Sequence, residues 1–178
     1  VNVLAEIDPG YPGSFSAKGI SATFRVAMRV AVGSDHRGAQ TVASLVQHLK
    51  ADGHEVDVLG ECIDAICDYP DAAYQVARTV ADGKADRGIL MCGTGIGMCI
   101  AANKVKGVLA ALAQDELSAQ LSRTHNNANV LCLSADLTGT TLAKRIVDTF
   151  MKTAFEGGRH ERRIRKIRDI EDGRAPGK

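Results

Sequence analysis

The stretch "RVAVGSDHRGAQTVASLVQHLKADGHEVDVLG", residues 29–60, decides the fold. "RVAVGS" is a short β-branched run that stops at Gly and Ser. "GAQTVASLVQHLKADG" then carries apolar residues at helical spacing and ends on Gly53, and "EVDVLG" is a second strand. A strand, a helix and a strand in that order form a crossover, and crossovers join parallel strands, nearly always right-handed. The pattern then repeats. "YPDAAYQVARTVADG" reads as a helix, "DRGILMCG" as a strand, "IGMCIAANKV" as a helix, "VLAALA" as a strand, "DELSAQLSRTHN" as a helix, "ANVLCLS" as a strand and "TGTTLAKRIVDTFMKTAF" as a helix. This predicts a single three-layer α/β/α domain, a doubly wound parallel sheet of about five strands with helices on both faces. In such folds ligands collect beyond the carboxyl ends of the strands. Ser34, Asp35 and His36 follow the first strand there, Cys92 to Gly97 the third, and Asp136 the fifth.

The length of 178 residues suits one domain with a full core. Residues 1–27 hold two of the four prolines with several Gly and Ser and show no sustained period, so they read as an irregular extension. The domain spans 28–172 and a short tail covers 173–178. After Gly157 and Gly158 a last helix carries Ile164, Ile167 and Ile170 among arginines, and is expected to pack on its own domain or on a second subunit. A net charge of +1 gives no global attraction to nucleic acid or membrane. The apolar runs are too short to span a bilayer, and the N-terminal segment lacks a signal peptide's basic start and apolar core. The five cysteines, Cys62, Cys67, Cys92, Cys99 and Cys132, are odd in number and favour a reducing cytosol. Neither they nor the histidines fall at zinc-ligand spacing, so no metal site is expected.

"MCGTGIGMCIAANK", residues 91–104, sets a cysteine in front of three alternating glycines and a helix. A dinucleotide fingerprint would need glycine at Met98 and would follow the first strand. A Walker A loop would end in Gly-Lys-Ser/Thr, and a cysteine phosphatase would carry arginine at Met98. What remains is a thiol at a helix N-terminus, with backbone N–H groups able to turn towards an anion. Such a position draws a thiol pKa from about 8.5 towards neutrality and can stabilise a developing oxyanion. Both effects suit proton abstraction beside a carbonyl. A lone cysteine at a strand end is more often a packing residue. The glycine loop behind it tips the reading to chemistry.

Five blocks in order, "GSDHRG" (33–38), "DYPD" (68–71), "CGTGIGMCIAANKVKG" (92–107), "HNNANVLCL" (125–133) and "FEGGRHERRIRKI" (155–167), resemble the type B ribose-5-phosphate isomerases, in the family that includes galactose-6-phosphate and allose-6-phosphate isomerases. The resemblance implies an aldose–ketose isomerase that works through an enediol without metal or cofactor. It also implies a homodimer or tetramer whose sites are shared between subunits. Carried over by position, Cys92 is the base between C1 and C2 and Thr94 assists it. The amides of Gly93, Thr94, Gly95, Ile96 and Gly97 hold the enediolate oxygen. His125 and Asp35 open the furanose ring, Asn126 orients the substrate, and Tyr69 lines the sugar site. His36, Arg159 and Arg163 bind phosphate, the two arginines reaching in from the partner subunit. Relatives that lack the cysteine use a glutamate where this chain has Met98, which leaves Cys92 as the candidate base.

Each residue has a plainer reading. His125 could be a helix C-cap or a surface histidine, Asp35 and Thr94 could be caps, and the arginines from 159 to 168 could be a solvated face. Cys62, Cys67, Cys99 and Cys132 are assigned to packing. The chain also departs from the family pattern at Asp136 and Leu109, where relatives usually carry arginine. An anion in place of a cation about 5 Å from a phosphate changes the interaction by on the order of 3 kcal/mol per charge pair at an effective dielectric near 20. Phosphate is then held by His36, Arg159 and Arg163 alone, or the preferred aldose phosphate differs, or the chain binds sugar phosphates without turnover. Together Cys92, Thr94, Asp35 and His125 favour an enzyme, since a pure binder needs neither base nor ring opener.

Overall fold

The first strand–helix–strand unit forms as its spacing predicts, with β1 (Arg29–Ser34), α1 (Ala39–Ala51) and β2 (Glu55–Leu59). The structure is a computed structural model that describes residues 27–60 and 67–177. All but the last residue of the expected N-terminal extension, and Cys62, lie outside the described residues. The chain continues through α2 (Tyr69–Ala81), β3 (Arg87–Cys92), α3 (Ile96–Ala102), β4 (Ala110–Leu112), α4 (Glu116–Thr124), β5 (Val130–Ser134), α5 (Thr140–Lys152) and α6 (Arg159–Glu171). Every strand pairing is parallel and the order is β2-β1-β3-β5-β4, with Val32 opposite Ile89 and Met91 opposite Leu133. The winding reverses between β1 and β3, which opens a crevice beyond the carboxyl ends of those two strands.

Alternation along the strands builds two cores. Val30, Val32, Ile89, Met91, Leu131 and Leu133 face Leu45 and Leu49 of α1 and Ile146, Val147 and Phe150 of α5. Ala31, Leu90, Cys92, Val130 and Cys132 face α2 and α3 through Val76, Ala77 and Met98. Cys92 thus emerges on the α2/α3 side of the sheet. Phe150, Leu45 and Ile89 are fully buried, each contributing about 1.5–3 kcal/mol of transfer free energy.

Two elements are shorter than their sequence patterns suggest. Helix α3 stops at Ala102 because the Asn103 side chain turns inward, donating to the carbonyls of Cys99 and Ala110 and accepting the Ala110 N–H, all at 2.9 Å. Strand β4 begins only at Ala110 because the Leu109 N–H is taken by Asn129 Oδ1 at 2.8 Å. Helix α6 touches its own domain through buried Ile164, through the Gly107 N–H donated to Glu171 and through a Lys106–Asp172 ion pair, while Ile167 and Ile170 stay exposed. Cys67, expected to be a packing thiol, is disulfide-bonded. Among the described residues no helix is long and apolar enough to cross a membrane.

Candidate active site

Cys92 ends β3 with 5% of its surface exposed, and the next three residues form a turn into α3 that is held against the end of β5. The Cys92 carbonyl accepts the Ala135 N–H at 2.9 Å, and the Gly93 carbonyl accepts from Ser134 Oγ at 2.7 Å and from the Asp136 N–H at 3.0 Å. Gly95 makes the turn possible. Its φ is +76°, and a Cβ there would lie 2.6 Å from Leu112 Cδ1 and 2.8 Å from the Leu133 carbonyl oxygen. So placed, the Gly95 N–H donates to Cys92 Sγ at 3.2 Å. Thr94 is exposed, and its Oγ1 accepts the Ile96 N–H at 3.3 Å, a local turn that leaves the hydroxyl hydrogen available.

Asp35 reaches this loop from β1. Its N–H donates to the Met91 carbonyl at 3.2 Å, and its carboxyl, in a residue 5% exposed, accepts at Oδ1 the N–H groups of Arg37 (2.9 Å) and Gly38 (3.2 Å). It therefore organises the turn before α1, whose N-cap is Gly38 rather than Asp35. His36 is exposed beside it. Tyr69, the first residue of α2, lays its ring over Gly97, since a Cβ on that glycine would meet the ring carbon Cε2 at 2.6 Å. Asp35, His36, Tyr69 and Cys92 to Gly97 thus surround one crevice at the carboxyl edge.

His125 and Asn126 are elsewhere. Helix α4 starts at the carboxyl edge, where Asp115 and Ser118 form a capping box, and runs antiparallel to the strands. It therefore delivers His125 and Asn126 to the amino edge, ahead of β5. There the His125 ring stacks on His160 with centroids 4.2 Å apart and planes 5° from parallel. His160 is buried at the start of α6, accepts from Arg159 Nε at 3.3 Å and lies 3.5 Å from Glu156. Desolvation, with the His125 ring and then Arg159 adding to it, holds the His160 pKa below the usual imidazole value. Arg159 and Arg163 are exposed on the same helix. The length of β5 alone separates the two groups by about 13 Å. One chain does not bring Cys92 and His125 together.

Sequence reasoning missed three residues. Arg123, 3% exposed, donates to the Ala128 carbonyl at 2.5 Å, to Asn127 Oδ1 at 3.0 Å and to the Thr153 carbonyl at 3.2 Å, and its guanidinium lies 5.7 Å from the Phe150 ring centroid. It fixes the turn that presents His125 and Asn126, and burial draws its pKa down to about 10. Cys99 packs partly buried against the α2/α3 core as read, but hydrogen bonding with Cys132 also brings its thiol down to about 7 while Cys132, fully buried, is pushed up. Arg37 is the third. Its Nε and Nη2 donate to Asp136 at 3.2 and 2.7 Å, so Asp136 is not the bare anion its position in the sequence implies. Leu109 lies at the amino edge, lining a cavity of about 780 Å³ with Arg87, Asn127, Asn129 and Arg168.

Among the described residues two groups have donor atoms close enough to hold a cation, His125 with Glu156 and His160, and His48 with Asp52 and Asp148. In the first the parallel rings send their nitrogen lone pairs side by side instead of towards one point, unlike a tetrahedral site. In the second His48 Nε2 already pairs with Asp148 at 2.8 Å.

Comparison with known proteins agrees with this architecture. The family described as Ribose/Galactose Isomerase matches residues 30–167. Ribose-5-phosphate isomerase B of Escherichia coli is 45% identical over 146 residues, covering 82% of this chain and 98% of that protein. D-erythrulose-4-phosphate isomerase of Pectobacterium atrosepticum is 41% identical over 145 residues, covering 79% and 93%. The crystal structure of ribose-5-phosphate isomerase B from Mycoplasma genitalium with bound ribulose-5-phosphate superposes with a TM-score of 0.78 at 49% identity, covering 81% of this chain and 96% of that one. With the family matched over residues 30–167 and the fold in agreement, this chain belongs to the ribose/galactose isomerase family.

Proposed function

We propose that this protein interconverts ribose 5-phosphate and ribulose 5-phosphate through an enediolate, with Cys92 as the base. The observation that carries the reading is the Gly95 N–H held 3.2 Å from Cys92 Sγ. A thiolate there removes the proton from C2 of the open-chain aldose. The electron pair moves to the C1 carbonyl, the loop amides stabilise the resulting oxyanion, and the thiol returns the proton to C1. Thr94, at the crevice mouth, passes protons between the two oxygens. Asp35 and His125 open the ring, Asn126 orients the sugar, Tyr69 lines its path, and His36, Arg159 and Arg163 take the phosphate. The bound ribulose-5-phosphate in the Mycoplasma genitalium relative supports the substrate.

Because His125, Asn126, Arg159 and Arg163 sit at the opposite edge from Cys92, the working site draws on two copies of the chain. Mixing inactive Cys92→Ala and His125→Ala proteins, followed by denaturation and refolding, tests this. Half the dimers are then mixed, each with one intact site, so activity returns to about a quarter of wild type. Activity that stays at zero in a mixture shown to contain mixed dimers contradicts a shared site. A second reading, isomerisation of another aldose phosphate, is favoured by the 41% identity to a D-erythrulose-4-phosphate isomerase and by Leu109 and Asp136.

A further inference from the structure

Arg37 and Asp136 have no role in the mechanism above, yet they roof its loop. A Cβ on Gly93 would lie 3.0 Å from Arg37 Nε, 3.1 Å from Arg37 Cδ and 3.1 Å from Asp136 Oδ2. The ion pair therefore rests on the residue next to Cys92. Three constraints fix it there. The Arg37 N–H is bound to the Asp35 carboxylate, Gly38 lets the turn lie against β3 where a Cβ would come within 2.8 Å of Met91, and the Asp136 N–H is bound to the Gly93 carbonyl. Both Asp136 oxygens accept from the guanidinium. This fork geometry uses one N–H on Nε and one on Nη2, and leaves Nη1 and the second Nη2 hydrogen outside the pair.

An ion pair with side chains 54% and 38% exposed contributes little to stability, so its fixed position is not explained by folding. A planar guanidinium pre-oriented by a carboxylate, with donors left over, is suited to a tetrahedral oxyanion. Asp136 supplies that orientation, and its own charge is spent on Arg37 rather than facing a ligand.

Resting on the isomerase reading, we propose that Arg37 binds the phosphate of the substrate at the carboxyl edge, beside His36, and that Asp136 is its positioning residue. The chemistry recognised is a phosphate monoester dianion, and a chain with arginine at 37 and aspartate at 136 reaches it from the strand-β1 side of the crevice. Asp136 is then a supporting residue and not a mark of lost function.

The test uses the full-length protein with Arg37→Met, Arg37→Lys, Asp136→Asn and the swapped pair Arg37→Asp/Asp136→Arg. Two quantities are read: kcat and KM for ribose 5-phosphate, and the affinity for inorganic phosphate by calorimetry. Loss of one charge-assisted contact predicts that Arg37→Met raises KM and weakens phosphate binding by about tenfold, with kcat retained. Arg37→Lys loses less. Asp136→Asn loses part of the effect in the wild-type background and nothing further in Arg37→Met, the coupling expected of a positioning residue. The swapped pair binds phosphate more tightly than an Arg37→Asp single variant prepared beside it. Should Arg37→Met fail to fold, Arg37→Lys and Asp136→Asn carry the same prediction at a smaller fold-change. Unchanged phosphate affinity in the Arg37 variants, or wild-type protein that binds no phosphate, overturns the inference. Phosphate binding that depends on Arg37 without any turnover of ribose 5-phosphate sustains it and counts instead against the substrate reading.

Discussion

Replacing Gly95 by alanine tests the geometry of the cysteine loop. At φ +76° an alanine pays the left-handed penalty of about 1–2 kcal/mol. Its Cβ would also stand 2.6 Å from Leu112 Cδ1 and 2.8 and 2.9 Å from the Leu133 carbonyl oxygen and carbon. The Leu112 side chain can turn aside, but the β5 backbone cannot, and overpacking of this kind costs about 1–3 kcal/mol more. The expected total is about 2–5 kcal/mol. Gly107→Ala is the matched control. Its φ is +87°, but the nearest atom to a Cβ there is Ala81 Cβ at 4.0 Å, so only the backbone penalty of about 1–2 kcal/mol applies. Urea unfolding at one fixed protein concentration gives both values by linear extrapolation. The loop shift also moves the Gly95 N–H away from Cys92 Sγ, so alkylation of Cys92 by iodoacetamide changes in Gly95→Ala and not in Gly107→Ala. If Gly95→Ala costs no more than Gly107→Ala, the proposed wedge between Leu112 and β5 is wrong.

Cys99 should alkylate along a pH profile with its midpoint near 7, and this labelling should be lost in Cys99→Ala; a midpoint near an ordinary thiol's would refute the hydrogen bond from Cys132 as its cause. Sugar phosphate should protect Cys92, inside the crevice, and leave Cys99 labelling unchanged. The folded-state pKa of His160 lies below its unfolded value, so the unfolded chain takes up the proton first. Its contribution is complete above about pH 6.5 and declines as pH falls below that, and His160→Gln should flatten the decline in urea midpoint between pH 6.5 and 5. An unchanged slope would show that burial, with His125, Arg159 and Arg163 set against the favourable Glu156, does not oppose its charge. Arg123→Met removes one hydrogen bond to a buried carbonyl and two to partly buried partners and should destabilise by about 2–4 kcal/mol, with a lower kcat through misplaced His125; a loss below about 1 kcal/mol would contradict its role as a clamp.

The layering and the carboxyl-edge site were legible because they rest on local patterns. Strand and helix periods set the parallel sheet, and the glycines around Cys92 foretold a turn that only glycine at 95 can make. Thr94 and Asp35 are not the helix caps of their plainer reading, since the N-caps are Gly95 and Gly38, but both hold local turns. Three things were not legible. The pairing of Arg37 with Asp136 joins residues 99 apart in sequence, and no local period encodes it. Without it, Asp136 reads as an unpaired anion. The stacking of His125 on His160 depends on how α6 returns to the amino edge after Gly157 and Gly158, a direction set by tertiary contacts. The helical direction of α4 could have revealed that His125 falls at the edge opposite Cys92, because a helix that leaves one edge of a parallel sheet ends at the other. Cys99 looked like any apolar-face thiol, and only its proximity to Cys132 distinguishes it.

The most direct test of the central claim is conversion of ribose 5-phosphate to ribulose 5-phosphate by the purified protein, with Cys92→Ala and added chelator run in parallel. The expected result is turnover that survives the chelator and disappears in a folded Cys92→Ala protein. Turnover that persists without the Cys92 thiol would contradict it.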